Sequence, residues 1–288
     1  MTEIIKSIFL GIVEGITEWL PVSSTGHLIL VDEILKMDMS SDFKEMFDVV
    51  IQLGAIMAVV LLYWKKIFPF GKKNNAAPLR SDGIGAYIKT DIFSMWFKVI
   101  AACLPAAVVG LLFDDVLNDL FYNPLTVSIA LIVFGVAFII VENWNHGKNS
   151  RINSISELTY KTALIIGAFQ LIAAVFPGTS RSGATIVGAL LIGVSRTTAA
   201  EFTFFLAIPV MFGASLLKLV KFGFDFSGTE IAVLAAGMIT AFLVSVVVIK
   251  FLMDYIKKHD FKVFGWYRIV LGILVLAYFG IFESSGLV

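Results

Sequence analysis

Six apolar segments, each about as long as a membrane-spanning helix, dominate this sequence. A helix needs about 20 mostly apolar residues to cross a bilayer. Hydrophobic residues make up 58% of the chain and charged residues 15%, whereas soluble domains average roughly 45–50% and about 25%. We therefore predict an all-α polytopic membrane protein with six transmembrane helices. The segments are residues 46–64, 92–113, 125–141, 199–220, 231–249 and 264–282.

Two further apolar regions, residues 4–35 and 163–194, are interrupted near the middle. Pro21 and Pro177 lie there, within clusters of serine, threonine and glycine that end helices. Each region predicts a re-entrant segment, in which two half-helices flank a loop. We expect the first region to stay in the mature protein, because Glu14 interrupts it and no small-residue cleavage pattern follows.

The two broken regions belong to an internal repeat, residues 1–66 and 157–222, within a single integral membrane domain of residues 1–288. Both prolines, both breaks and both following spans fall in step at one constant offset. Half-helix, break, half-helix and span are therefore expected twice. The matching pairs are Gly11 with Gly167, Glu14 with Gln170, Pro21 with Pro177, Ser24 with Ser180, Glu45 with Glu201 and Lys65 with Lys221.

Basic residues in the loops predict the orientation, because lysine and arginine are retained in the cytoplasm. Three basic loops are assigned to the cytoplasm, and one acidic segment is assigned outside. The broken regions then enter from opposite faces as an inverted repeat, and such broken helices build polar sites near the midplane. The residues counted are Lys65, Lys66, Lys72, Lys73, Arg80 and Lys89, then Lys148, Arg151 and Lys161, then Lys250, Lys257, Lys258, Lys262 and Arg268, against Asp114, Asp115 and Asp119 outside.

Charge and cysteine content exclude other classes of protein. The 22 basic and 22 acidic residues balance, so no global field attracts nucleic acid. Cys103 is the only cysteine, and with three scattered histidines it cannot supply a zinc site of standard spacing. Any bound metal is therefore expected to have oxygen ligands.

Glu14 and Glu18 lie one helical turn apart in the first half-helix, in otherwise apolar sequence. Two ionised carboxylates at membrane depth are costly unless a cation lies between them or one is protonated. A divalent cation, Mg²⁺ or Ca²⁺, is the simplest resolution. The alternative is that this segment lies at the surface with both carboxylates in water.

Hydroxyl groups and a histidine follow the first break. Ser23, Ser24 and Thr25 precede an apolar run, where hydroxyls commonly cap a helix N-terminus. His27 comes about one turn after Ser24, so it could accept the proton of that hydroxyl. We therefore expect a reactive group here in addition to a cap.

The second break, residues 177–185, opens a helix and predicts an oxyanion site. Gly178 lets backbone N–H groups approach a ligand, and Arg181 adds a fixed fork of donors that matches phosphate oxygens. The alternative is a tight turn with Arg181 extended to the membrane interface. The other polar members of this loop are Thr179, Ser180, Ser182 and Thr185.

These motifs, residues 14–18, 21–27 and 177–185, resemble those of the undecaprenyl-diphosphatase family, also called bacitracin-resistance proteins. The resemblance implies a bacterial plasma-membrane enzyme that hydrolyses undecaprenyl diphosphate, recycles the carrier lipid for peptidoglycan synthesis and confers bacitracin resistance. It also implies that Glu14 and Glu18 hold the divalent ion, and that Ser24 and His27 carry the chemistry. Arg181, with the Ser180 to Thr185 loop, would then bind phosphate, and we expect Gly178, Thr179, Ser23 and Thr25 to contribute to that binding.

Several alternatives remain open at the level of sequence. Ser24 could attack phosphorus with His27 as base, His27 could be the nucleophile, or a metal-held water could attack. Inverted repeats with broken helices are also typical of transporters, so a lipid-carrier flippase, alone or combined with the phosphatase, is the second hypothesis. The partners expected are a polyprenyl diphosphate, membrane lipid and a second copy in a homodimer, with no nucleic acid.

Overall fold

A computed structural model describes residues 1–72, 77–80, 82–121 and 123–284. These residues form ten α-helices and two short 3₁₀ turns, Ile84–Tyr87 and Ile155–Glu157. The helices are α1 (Thr2–Thr17), α2 (Ser24–Leu35), α3 (Ser41–Ile67), α4 (Thr90–Phe121), α5 (Pro124–Asn145), α6 (Tyr160–Val175), α7 (Arg181–Leu191), α8 (Arg196–Phe222), α9 (Gly228–Ile256) and α10 (Lys262–Ser284).

Six of these helices, α3, α4, α5, α8, α9 and α10, are long and apolar enough to cross a membrane. The predicted all-α multi-pass membrane fold with six spans is thereby confirmed. Most helices begin a few residues before the apolar windows because polar caps precede them. Ser40 caps α3 and Asn123 caps α5, each accepting a backbone N–H with its side-chain oxygen.

The remaining four helices form two hairpins, α1 with α2 and α6 with α7. In the first, Lys6 Nζ donates to the Lys36 carbonyl at 2.9 Å, so the start of α1 lies beside the end of α2. In the second, Arg151 N–H donates to the Gly193 carbonyl at 2.8 Å, which joins the chain before α6 to the chain after α7. Both hairpins therefore return to the end of the bundle from which they start.

The hairpins start at opposite ends of the bundle. Ser7 Oγ donates to the Val233 carbonyl at 2.5 Å, so the open end of the first hairpin lies beside the start of α9 and thus the end of α8. The second hairpin leads directly into the start of α8, which is about 40 Å long at 1.5 Å per residue. This geometry suits the inverted re-entrant arrangement, whose placement in a bilayer stays a prediction.

Close helix packing fixes both first half-helices against long spans. α1 packs on α9, and α6 packs on α4. A Cβ added at Gly11 would lie 2.6 Å from the Gly237 carbonyl oxygen, and one added at Gly167 would lie 2.2 Å from the Ala102 carbonyl oxygen. These two glycines, which match in the sequence repeat, thus allow the same backbone approach in each half.

One residue used for the orientation was wrongly placed. Arg268 lies in α10 and is completely buried, so it is not part of the basic loop before the last span. Of the four lysines counted with it, Lys250 lies in the last two turns of α9, whereas Lys257, Lys258 and Lys262 lie between the two helices or at the start of α10. The orientation therefore does not depend on Arg268. Lys73 and the side chains of Asp114, Asp115 and Asp119 lie outside the described residues.

Candidate active site

The two sequence breaks meet in space through Glu18 and Arg181. Glu18 is the C-cap of α1, and Arg181 is the first residue of α7. Arg181 Nη2 donates to Glu18 Oε1 at 2.8 Å, and both side chains are largely buried, with exposed fractions of 13% and 8% for Arg181 and Glu18. Ser182 Oγ adds a hydrogen bond to the Glu18 backbone carbonyl at 3.2 Å. One polar site therefore contains residues of both breaks.

Ser24 shares the Glu18 carboxylate with Arg181. Its hydroxyl donates to Glu18 Oε2 at 3.3 Å, and Arg181 Nη1 donates to the Thr203 carbonyl at 3.1 Å. Arg181 Nε has no hydrogen-bond partner among the described residues. A buried guanidinium with an unused donor beside a hydroxyl group is suited to hold an anionic oxygen.

Glu14 is fully buried one turn before Glu18, and neither of its carboxylate oxygens has a hydrogen-bond partner in the described part of the chain. Glu18 and Asp48 are close enough to repel its charge, and Arg181 is close enough to attract it. An uncompensated buried carboxylate is expensive. The predicted divalent cation, with Glu14 and Glu18 as ligands, would supply the missing compensation for Glu14 and stays a prediction.

The described residues contain no group of three or more histidine, cysteine, aspartate or glutamate side chains that could hold a metal. A cation bound by two carboxylates would need further oxygen ligands from water or substrate, as Mg²⁺ commonly has. Gln170, the repeat counterpart of Glu14, is also buried with both amide atoms unpaired among these residues. Buried polar atoms without a hydrogen-bond partner among the described residues thus occur on the first helix of each hairpin, α1 and α6.

Some hydroxyl groups of the second break form hydrogen bonds within the loop, and one has no hydrogen-bond partner among the described residues. Ser180 has a φ of 67°, and its hydroxyl accepts the Gly183 N–H at 3.2 Å. Thr185 Oγ1 donates to the Arg181 carbonyl at 2.9 Å and also contacts Thr203 Oγ1. In contrast, the buried Thr179 hydroxyl has no partner among the described residues. Ser180 and Thr185 thus stabilise the loop in this structure.

The first break has a similar turn, but it orients His27 away from Ser24. Ser23 has a φ of 74°, and its hydroxyl accepts the Gly26 N–H at 3.4 Å. His27 Nδ1 contacts the Ser23 carbonyl at 2.7 Å, and Nε2 contacts the Tyr267 hydroxyl at 2.6 Å. Both ring nitrogens are therefore engaged elsewhere, and the hydrogen bond of Ser24 goes to Glu18. Thr25 is half-buried in the first turn of α2.

Arg268 joins the two breaks, a role that sequence reasoning missed. Its guanidinium donates to the carbonyls of Pro21, Gly178 and Thr179 at 3.2, 3.0 and 2.7 Å. Gly178 has a φ of 90°, a left-handed conformation that glycine adopts readily. The sequence feature that could have indicated this role is an arginine within an apolar span. Tyr267, which contacts His27 from the same helix, was also missed.

Comparisons with known proteins identify the family of this chain. The family model described as bacitracin resistance protein BacA matches residues 7–274. The undecaprenyl-diphosphatase of Desulfitobacterium hafniense is 65% identical over 279 residues, which cover 97% of each chain. Undecaprenyl-diphosphatase 1 of Clostridium acetobutylicum is 65% identical over 277 residues, 96% of this chain and 97% of the relative. An undecaprenyl-diphosphatase of Enterococcus faecalis is 61% identical over 274 residues, 95% and 96% of the two chains. Since the match extends over nearly the whole sequence, this chain belongs to the bacitracin resistance protein BacA family.

Proposed function

We propose that this protein hydrolyses undecaprenyl diphosphate to undecaprenyl phosphate and inorganic phosphate. The contact that joins Glu18, Ser24 and Arg181 is the observation that carries the proposal. The relatives named undecaprenyl-diphosphatase support the identity of the lipid. By this reading the protein recycles the carrier lipid for peptidoglycan synthesis and confers bacitracin resistance.

Ser24 is the proposed nucleophile, and Glu18 is the proposed base. The Ser24 hydroxyl already donates to the Glu18 carboxylate, so that carboxylate can accept its proton as the oxygen attacks the terminal phosphorus. The new O–P bond forms as the bridging P–O bond breaks, and undecaprenyl phosphate leaves with the proton that Glu18 accepted. Water then gives a proton to Glu18 as its oxygen attacks the phosphoserine. The bond from phosphorus to the Ser24 oxygen breaks, phosphate leaves, and Glu18 returns the proton to the Ser24 oxygen.

Arg181 and a divalent cation would bind the diphosphate. The guanidinium shares the Glu18 carboxylate with Ser24 and keeps an unpaired Nε donor, which can hold a non-bridging phosphate oxygen. A cation held by Glu14 and Glu18 would offset part of the charge of the diphosphate when bound. His27, with both ring nitrogens engaged, is proposed to hold the first turn of α2 and Tyr267 in position.

The site is proposed to open to the outer face of the bacterial plasma membrane. Glu18 and Ser24 belong to the first hairpin, whose open end is outside according to the basic-loop assignment. The diphosphate left by wall polymerisation would be reached from that face. A lipid-carrier transporter is the second candidate, favoured by two hairpins that start at opposite ends of one bundle.

Phosphate release from purified protein in detergent tests the proposal. With a polyprenyl diphosphate as substrate, the wild type should release one phosphate per lipid, and Ser24→Ala should release almost none. Glu45→Gln is the matched control, because Glu45 pairs with Lys218 at the surface, away from both breaks. A protein that releases no phosphate yet moves a labelled polyprenyl phosphate across vesicle membranes would be a transporter, contrary to the proposal.

A further inference from the structure

A cavity of about 860 Å³ lies at the other end of the protein from the open end of the first hairpin. It is open to one side and is lined by the ends of α3 and α9, the starts of α4 and α8, and the turn at residues 153–156. None of the residues of the candidate active site lines it. By the basic-loop assignment, this end of the bundle faces the cytoplasm.

Positive charge exceeds negative charge in the cavity lining. Four lysines and two carboxylates line it, and one of the lysines, Lys257, also pairs with Asp254 outside the lining at 2.8 Å. Lys66 pairs with Glu201 at 2.5 Å. Even with Asp254 counted, a cationic excess remains. The lining residues with charge are Lys65, Lys66, Lys98, Lys257, Asp91 and Glu201.

Lys98 lies farther from the end of its helix than the other three lysines do. It lies eight residues after Thr90, the start of α4, which is about 12 Å at 1.5 Å per residue. It forms no hydrogen bond or ion pair with the residues that the structure describes. Its side chain lines the cavity. An intramembrane lysine that lines a polar cavity marks a functional site by default.

We propose that this cavity binds a phosphate-class anion, with Lys98 as its principal contact. A lysine ammonium binds phosphate as a point charge, and the Ser94 hydroxyl one turn away on α4 adds a neutral donor to the lining. The volume lies within the usual range for ligand pockets, about 300–1,000 Å³, so it accommodates either free phosphate or the phosphate headgroup of an inner-leaflet lipid. This binding is additional to the proposed hydrolysis and does not depend on it.

Thiol chemistry at position 94 tests the proposal without any measurement of hydrolysis. In a Cys103→Ala background, Ser94→Cys places a thiol one helical turn from Lys98. An anionic methanethiosulfonate reagent should modify it at least about tenfold faster than a cationic reagent of equal size, because cationic clefts concentrate anions. Inorganic phosphate or dodecyl phosphate should slow the reaction. Protection by inorganic phosphate identifies the free anion as the ligand, and protection by dodecyl phosphate alone identifies a lipid headgroup.

Substitutions of Lys98 provide the decisive comparison. Lys98→Met should abolish both the preference for the anionic reagent and the protection, whereas Lys98→Arg should retain them. Lys161→Met, which removes a lysine outside the cavity lining, is the matched control and should behave like the parent. Absence of protection by either phosphate, or an unchanged reagent preference in Lys98→Met, would overturn the proposal.

Discussion

Replacement of Arg268 by lysine should reduce turnover without unfolding the protein. The guanidinium holds three carbonyls from the two breaks, at Pro21, Gly178 and Thr179, whereas one ammonium cannot match that fork. Loss of one hydrogen bond to a buried charged group costs about 1.5–3 kcal/mol. If the same free energy is lost in the transition state, kcat falls between about 10- and 150-fold, because 1.36 kcal/mol of activation free energy corresponds to a tenfold change in rate.

Phosphate release from the folded fraction, isolated by size-exclusion chromatography, measures this effect. Arg196→Lys is the matched control, since Arg196 forms a two-point contact with buried Glu142, away from both breaks. It should lower the melting temperature to a similar extent while kcat stays near that of the wild type. A fully active Arg268→Lys enzyme, or equal losses of kcat in both variants, would refute a positioning role for Arg268.

Three further predictions follow from the site. Glu14→Gln and Glu18→Gln should each lower turnover at least ~100-fold, about 2.7 kcal/mol, and EDTA should abolish phosphate release; full activity in excess EDTA would refute the metal assignment. Arg181→Lys should lower kcat/KM by about tenfold or more, and Arg181→Ala further, because an ammonium cannot match the guanidinium fork that contacts Glu18 and the Thr203 carbonyl and leaves Nε for a phosphate oxygen; a fully active lysine variant would indicate a general electrostatic role. In a Cys103→Ala background, cysteines at positions 24 and 115 should react with a membrane-impermeant maleimide in intact cells, whereas a cysteine at 148 should not; labelling at 148 alone would mean that the orientation is reversed.

The helices and the breaks could be predicted because hydrophobicity and proline act locally. A run of apolar residues specifies a span whatever its neighbours are, and the clusters around Pro21 and Pro177 stop a helix in any environment. The contact between a carboxylate of the first break and the arginine of the second could also be anticipated, because broken helices of an inverted repeat are expected to meet. These inferences required only sequence order.

The partners of individual side chains could not be predicted, because they depend on helix rotation and long-range packing. Arg268 is close in sequence to a basic loop, yet the rotation of α10 turns it inward to carbonyls that are 247 and 90 residues away in the chain. The sequence spacing suits a contact of His27 with the Ser24 hydroxyl as well as one with the Ser23 carbonyl. The Tyr267 hydroxyl, 240 residues away, holds its second nitrogen. No local pattern contains that information.

A double-mutant cycle on Glu18 and Arg181 tests most directly whether the two breaks form one catalytic site. The conservative changes Glu18→Asp and Arg181→Lys are made singly and together, and kcat/KM for phosphate release from a polyprenyl diphosphate is measured for all four proteins. Because the two side chains are in contact at 2.8 Å, we expect a coupling energy of at least about 1 kcal/mol, within the range of roughly 0.5–3 kcal/mol for contacting residues. Effects that add to within about 0.3–0.5 kcal/mol, as for distant residues, would contradict a shared site.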